Sequence, residues 1–178
     1  MKTISFLFLL TSLHFCGFSQ VSENKPHYIG EKFGGGVIFY LDGSGQHGLI
    51  ASTKDYLGIS WYRTNNVYKL MKAYNMTDGS ENSKTIVAKG GEKSAAGLCA
   101  GLTLDDYSDW YLPSIKELSM MYSHIMEIGG FIMGDYWSST EEIKSSGFKA
   151  WAVRFGKSGK EIAAKKDKKF AVRAIRKF

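Results

Sequence analysis

The amino-acid sequence predicts an α+β domain. Runs of strand length, rich in β-branched and aromatic residues, lie near both ends of the chain, at residues 37–41, 150–155 and 170–175. Helix signals lie between them, and one of these, from Ser114 to Ile125, has a legible start, face and stop. Strands at the ends with helices in the middle segregate the two kinds of element, unlike the alternation of an α/β fold. A chain of 178 residues is long enough for one domain with a sizeable core, which we place at residues 29–178.

Residues 1–19 precede that domain. Lys2 gives a positive start, residues 4–13 form a short apolar run, and Gly17 and Ser19 are small residues where cleavage is determined. We therefore expect a secretory signal peptide removed before Gln20. The apolar run is too short for a bilayer anchor. Lipoprotein processing at Cys16 fits less well, because His14 and Phe15 are bulky where small residues are needed. Residues 20–28 are polar and contain Pro26, as a flexible lead-in would be.

Val37-Ile38-Phe39-Tyr40-Leu41 reads as the first strand, Asp42-Gly43-Ser44-Gly45 as a turn, and Gly48-Leu49-Ile50-Ala51-Ser52 as the returning strand. From Asp55 to Asn82 periodicity is weak and the stretch reads as mostly loop, with a short helix over residues 69–74 its one regular candidate. Ser94 to Leu104 carries Ala, Leu and Cys on one face and reads as a helix, weakened by Gly97 and Gly101.

The next stretch organises the chain. Pro113 keeps Leu112 extended. Ser114 is a good N-cap, and Glu117 three residues on completes a capping box. Ile115, Leu118, Met121, Tyr122 and Ile125 then form one apolar stripe, which Gly129 and Gly130 end. Tyr136-Trp137-Ser138-Ser139-Thr140-Glu141 is strand-like and runs into polar residues. Residues 150–155, 161–164 and 170–175 read as a three-stranded meander with a turn between Gly156 and Gly159.

The whole chain carries +6, unevenly distributed. Residues 157–178 hold nine Lys and Arg against Glu161 and Asp167, a surface able to attract polyanions or simply a solvated hairpin. Signal cleavage would leave Cys99 as the sole cysteine, which excludes a disulfide framework. Its apolar neighbours suggest a buried thiol.

Few motifs promise chemistry. Gly34-Gly35-Gly36 precedes a strand rather than a helix, and Glu92 breaks the Gly-Lys-Ser that a phosphate loop needs. His27, His47 and His124 are scattered, no nucleophile elbow occurs, and no cofactor is implied. Asp105, Asp106 and Asp109 are weak candidates for a metal, with turn capping the competing role. Trp110, Trp137 and Trp151 suit either a sugar-stacking surface or a core.

Several motifs occur together in one order: Tyr28-Ile29-Gly30-Glu31, Gly35-Gly36-Val37-Ile38-Phe39-Tyr40, Gly48-Leu49-Ile50-Ala51, Tyr107-Ser108-Asp109-Trp110-Tyr111-Leu112-Pro113-Ser114, Tyr136 to Glu141, and Val172-Arg173-Ala174-Ile175-Arg176. The ordered set resembles the Lcl C-terminal-domain family of exported bacterial proteins. That resemblance implies a C-type-lectin-like single domain, related to formylglycine-generating enzymes, with paired terminal strands, two helices and a long irregular loop region. It also implies binding rather than catalysis, since some relatives are adhesin domains that contact sulfated glycans. The mature chain lacks the cysteine pair of the enzyme branch and the Glu-Pro-Asn or Trp-Asn-Asp of calcium-dependent lectins. Asp106 stands where relatives often have glycine.

We therefore expect an exported binding module (periplasmic, cell-surface or secreted) that recognises an anionic or sulfated glycan. Lys165, Lys166, Lys168, Lys169, Arg173 and Arg176 are its candidate charges, Trp110, Trp137 and Trp151 its candidate stacking faces, and Asp109 and Glu141 its candidate polar contacts. The alternative is an accessory envelope domain that docks on another protein through its aromatic loop. No specific nucleic-acid partner is expected.

Overall fold

The computed structural model describes residues 25–62, 69–156 and 158–178. The signal segment lies outside them. Seven strands form one mixed sheet in the order β1-β2-β3-β7-β4-β5-β6. In chain order these are β1 (Lys32–Phe33), β2 (Gly36–Leu41), β3 (Gly48–Ser60), β4 (Asp135–Glu141), β5 (Lys149–Arg154), β6 (Lys160–Lys165) and β7 (Lys169–Lys177). The helices among the described residues are α1 (Gly79–Ala88), α2 (Ala95–Ala100), α3 (Ile115–Ser123) and α4 (Ile125–Ile128). The α+β class holds, with more strand than helix and four helices in place of the expected two.

Both faces of the sheet are covered. On one, Ile38, Ile50, Trp61, Ile86, Trp110 and Trp137 pack with α1 and α2. On the other, Val37, Phe39, Ile115, Leu118, Met121 and Phe155 pack with α3 and α4. This explains why Val37-Ile38-Phe39 is apolar without alternation, because each side of the strand meets a core.

The β2–β3 hairpin forms as read, but β3 continues eight residues beyond Ser52 to Ser60. β7 pairs antiparallel with β3 and parallel with β4, through Tyr136 and Ala171. The expected meander is therefore wrong: β5 and β6 form a hairpin at the sheet edge, and β7 crosses back to the centre. Sequence adjacency suggested β6–β7 pairing, but β7 lies between β3 and β4, where its residues 171–176 are buried.

Helix α3 starts as the sequence says. Ser114 accepts from the Glu117 backbone, and the Glu117 side chain accepts from the Ser114 backbone at 2.7 Å. The apolar stripe is interrupted at His124, after which α4 ends at Gly129, whose φ of +69° suits glycine. Residues 69–74 form no helix. They are an irregular strap held by Glu141, which accepts from the Met71 and Lys72 amides.

Helix α1 occupies part of what read as loop. Asp78 caps it, accepting from the Ser80 and Glu81 amides. Its buried face is Gly79, Asn82, Ser83 and Ile86, which has helical spacing but mostly small polar side chains. Gly79 is needed here, because a Cβ would lie 2.4 Å from the Leu112 carbonyl.

Candidate functional site

The basic C-terminal quarter divides into an inner and an outer set. Lys166 is fully buried. Its ammonium is paired with Glu141, donates to the Lys69 carbonyl and lies 4.3 Å from the Trp61 ring centroid. Burial lowers the Lys166 pKa, while Glu141 acts in the opposite sense.

Arg173 is equally buried. It is paired with Asp55, donates to the carbonyls of Ser52 and Gly130, and lies over Phe131. Arg176 grips Asp109 with two hydrogen bonds, at 2.6 and 3.0 Å, and stacks on Tyr107. These three cations and Glu141 are internal anchors, not ligand contacts. A buried charge survives only when paired, and each of these is.

Trp110 and Trp137 are also core. The Trp110 indole donates to the Tyr107 carbonyl and the Trp137 indole to the Ile59 carbonyl, and Trp137 stacks on Phe170. Both are almost fully buried, at 2% and 0% exposure. Asp105 and Asp106 both have positive φ and form a two-residue turn closed by paired hydrogen bonds between Leu104 and Tyr107. A positive φ at position 106 is a backbone conformation that glycine adopts without strain. Among the described residues no three acidic, His or Cys side chains come together to hold a metal. Cys99 is buried, and burial pushes its thiol pKa up, away from nucleophilic use.

The outer set remains. Lys165, Lys168 and Lys169 are exposed at the β6–β7 corner, and Lys149 on β5 lies directly opposite Lys165. Sequence reasoning missed Lys149 and Lys144, since only strand pairing and the bond from the Lys166 amide to the Phe148 carbonyl place their segment beside this corner. None of these five ammonium groups has an ion-pair partner among the described residues. Trp151, two residues from Lys149 on the same strand face, is half-buried against the α3 side of the core. Trp151 and Lys165 are thus sequence candidates that lie on one face of the β5–β6 hairpin.

The aromatic loop 106–113 borders a different feature. Asp109, Trp110 and Tyr111 form one wall of a groove of about 490 Å³, with Val87 and Ala88 of α1 and Ala100 of α2 opposite. The loop itself is fixed to the sheet by reciprocal backbone bonds between Tyr111 and Ile175.

The molecule is thus an α+β domain with a buried ionic interior, a basic edge and a groove beside its aromatic loop. The model of the Lcl C-terminal domain matches residues 53–176, and the chain belongs to that family. No curated protein matches the sequence. Among solved structures, it is similar to a fimbrial protein from Bacteroides ovatus ATCC 8483, at 15% identity and a TM-score of 0.47. That likeness covers 72% of this chain, which spans 35% of the fimbrial protein. No helix among the described residues is long and apolar enough to cross a membrane.

Proposed function

We propose that this protein is an exported, non-catalytic binding module that holds an anionic or sulfated glycan on its basic edge. Membership of the Lcl C-terminal domain family supports an envelope or extracellular binding role, and the amino-terminal signal reading supports export. A C-type-lectin-like fold belongs to the same proposal. The observation that carries it is the directly opposed pair Lys149 and Lys165, continued by Lys168 and Lys169, with no carboxylate partner among the described residues. Like charges facing each other across strands cost stability unless an anion lies between them. Trp151, half-buried, lies two residues from Lys149 on the same strand face.

The test is retention on a heparin column under a salt gradient, using wild type and a Lys165→Gln/Lys168→Gln/Lys169→Gln variant. Lys166 must be left intact, since its loss would unfold the corner rather than report on binding. We expect strong wild-type retention, and elution of the variant at clearly lower salt, because each released counterion steepens the salt dependence. Elution of the wild type at low salt would sink the proposal.

A second reading rests on the groove beside the aromatic loop. Its exposed Ala88 and Ala100 give a shallow, mainly apolar wall suited to a side chain of an envelope protein. Ala100→Arg should then abolish a salt-insensitive association while leaving heparin retention untouched.

A further inference from the structure

A second groove, of about 390 Å³, lies where α3 meets the β2–β3 hairpin and the end of β7. It is built by an irregularity. The β2–β3 register shifts between Ile38 and Tyr40, so Tyr40 rather than Phe39 comes opposite Leu49. Phe39 is buried, and the Tyr40 ring is left 40% exposed on the groove, with Met120 and Phe178 beside it.

The rim is polar but balanced. Lys116 is paired with Glu161 at 2.9 Å and Lys177 with Asp78 at 3.1 Å, and both lysines are half-exposed. An ammonium has three donors, so each keeps N–H groups to offer. Asp42 already accepts from Ser44 and Gly45, while the Tyr40 hydroxyl and the exposed His47 ring make no hydrogen bond to a described residue. The groove therefore combines an aromatic and apolar floor with unused donors and acceptors and little net charge. Such a lining does not select an anion. It suits an uncharged ring with one apolar face and a hydroxylated edge, since aromatic faces attract C–H dipoles and hydroxyls both donate and accept.

We propose that this groove is a binding site for a neutral pyranose, with Tyr40 as the stacking face and His47, Lys116 and Lys177 as hydrogen-bonding partners. It is separate from the basic edge and stands or falls without it.

The test is amide chemical-shift mapping of the protein with methyl β-glucoside, methyl β-galactoside, methyl α-mannoside and N-acetylglucosamine. At least one probe should give saturable shifts at Tyr40, His47, Met120 and Lys177 that persist at high salt. Tyr40→Ala should weaken that binding by about tenfold, and Tyr40→Phe, which keeps the ring, by much less. The Lys165→Gln/Lys168→Gln/Lys169→Gln variant should bind the sugar as wild type does, whatever heparin shows. If Tyr40→Ala perturbs the fold, Met120→Ser reports on the same floor and should weaken binding. Absence of saturable shifts at the groove with all four probes overturns the proposal. So does unchanged affinity in a natively folded Tyr40→Ala protein.

Discussion

Lys165 and Lys166 are neighbours in sequence and opposites in the structure. Lys165 ends an edge strand, faces another lysine and reaches solvent. Lys166 turns inward to Glu141 and Trp61. The difference teaches that this domain uses charge twice. Inside, single ion pairs tie distant segments together: Lys166 joins the β6–β7 corner to the strap over β4, Arg173 joins β7 to Asp55 and the loop at Gly130, and Arg176 joins β7 to the aromatic loop. Outside, at the β5–β6–β7 corner, Lys149, Lys165, Lys168 and Lys169 have no ion-pair partner among the described residues.

Breaking the inner set should have the largest effect. Lys166→Met leaves the Glu141 carboxylate buried without its cation, and we expect a loss of about 3–5 kcal/mol in denaturant-monitored stability. A Lys166→Met/Glu141→Gln double variant should recover part of it, because the Gln carbonyl still accepts from Met71 and Lys72. If Lys166→Met behaves like a surface change, the division into inner and outer charges is wrong.

Glu117 sharpens the comparison, because it is a buried acid with no ion-pair partner among the described residues. It accepts from Ser114, Gly79 and Tyr111, yet burial, the largest influence, raises its pKa above the usual 4.5. A folded-state value above the unfolded one means that the folded protein holds the proton more tightly. Its contribution is then fully present below 4.5 and is lost as pH rises through the raised value. Glu117→Gln can keep all three contacts by donating its amide to the Tyr111 hydroxyl. Denaturation across that window should show a falling stability in wild type and a flatter profile in the variant.

Arg176→Ala should cost about 1 kcal/mol, less than Lys166→Met, because Asp109 is 55% exposed and water takes over its hydrogen bonds. A thermal melt resolves this, and loosening should appear as faster amide exchange at Tyr111. The triple glutamine variant at Lys165, Lys168 and Lys169 should change stability by less than about 0.5 kcal/mol. Any change should be a gain, as the opposition of Lys149 and Lys165 is relieved. A marked loss would show that the outer lysines are structural.

The chain's local signals were legible. The capping box at Ser114 and Glu117, the β2–β3 hairpin and the stop at Gly129 depend on residues close in sequence, so composition and spacing suffice to read them. Helix α1 was hidden because its buried face is Gly, Asn and Ser, and apolar periodicity cannot report a face that packs through hydrogen bonds. Asn82 shows this best, bonding both the Asn75 backbone and Ser139. The family resemblance was legible from ordered motifs, but their roles were not. Trp110 and Trp137 looked equally suited to a ligand or a core until their indoles were seen bonded inside.

The sequence by itself determined the α+β class, the cap of α3, the β2–β3 hairpin and the concentration of positive charge in the last residues. Only the tertiary structure decided which of those charges are available. In Lys165-Lys166-Asp167-Lys168-Lys169 nothing local marks Lys166 as different, since its partners Glu141 and Trp61 come from far along the chain. Burial of a charge is set by what packs around it, and that is a property of long-range pairing, here the placement of β7 between β3 and β4.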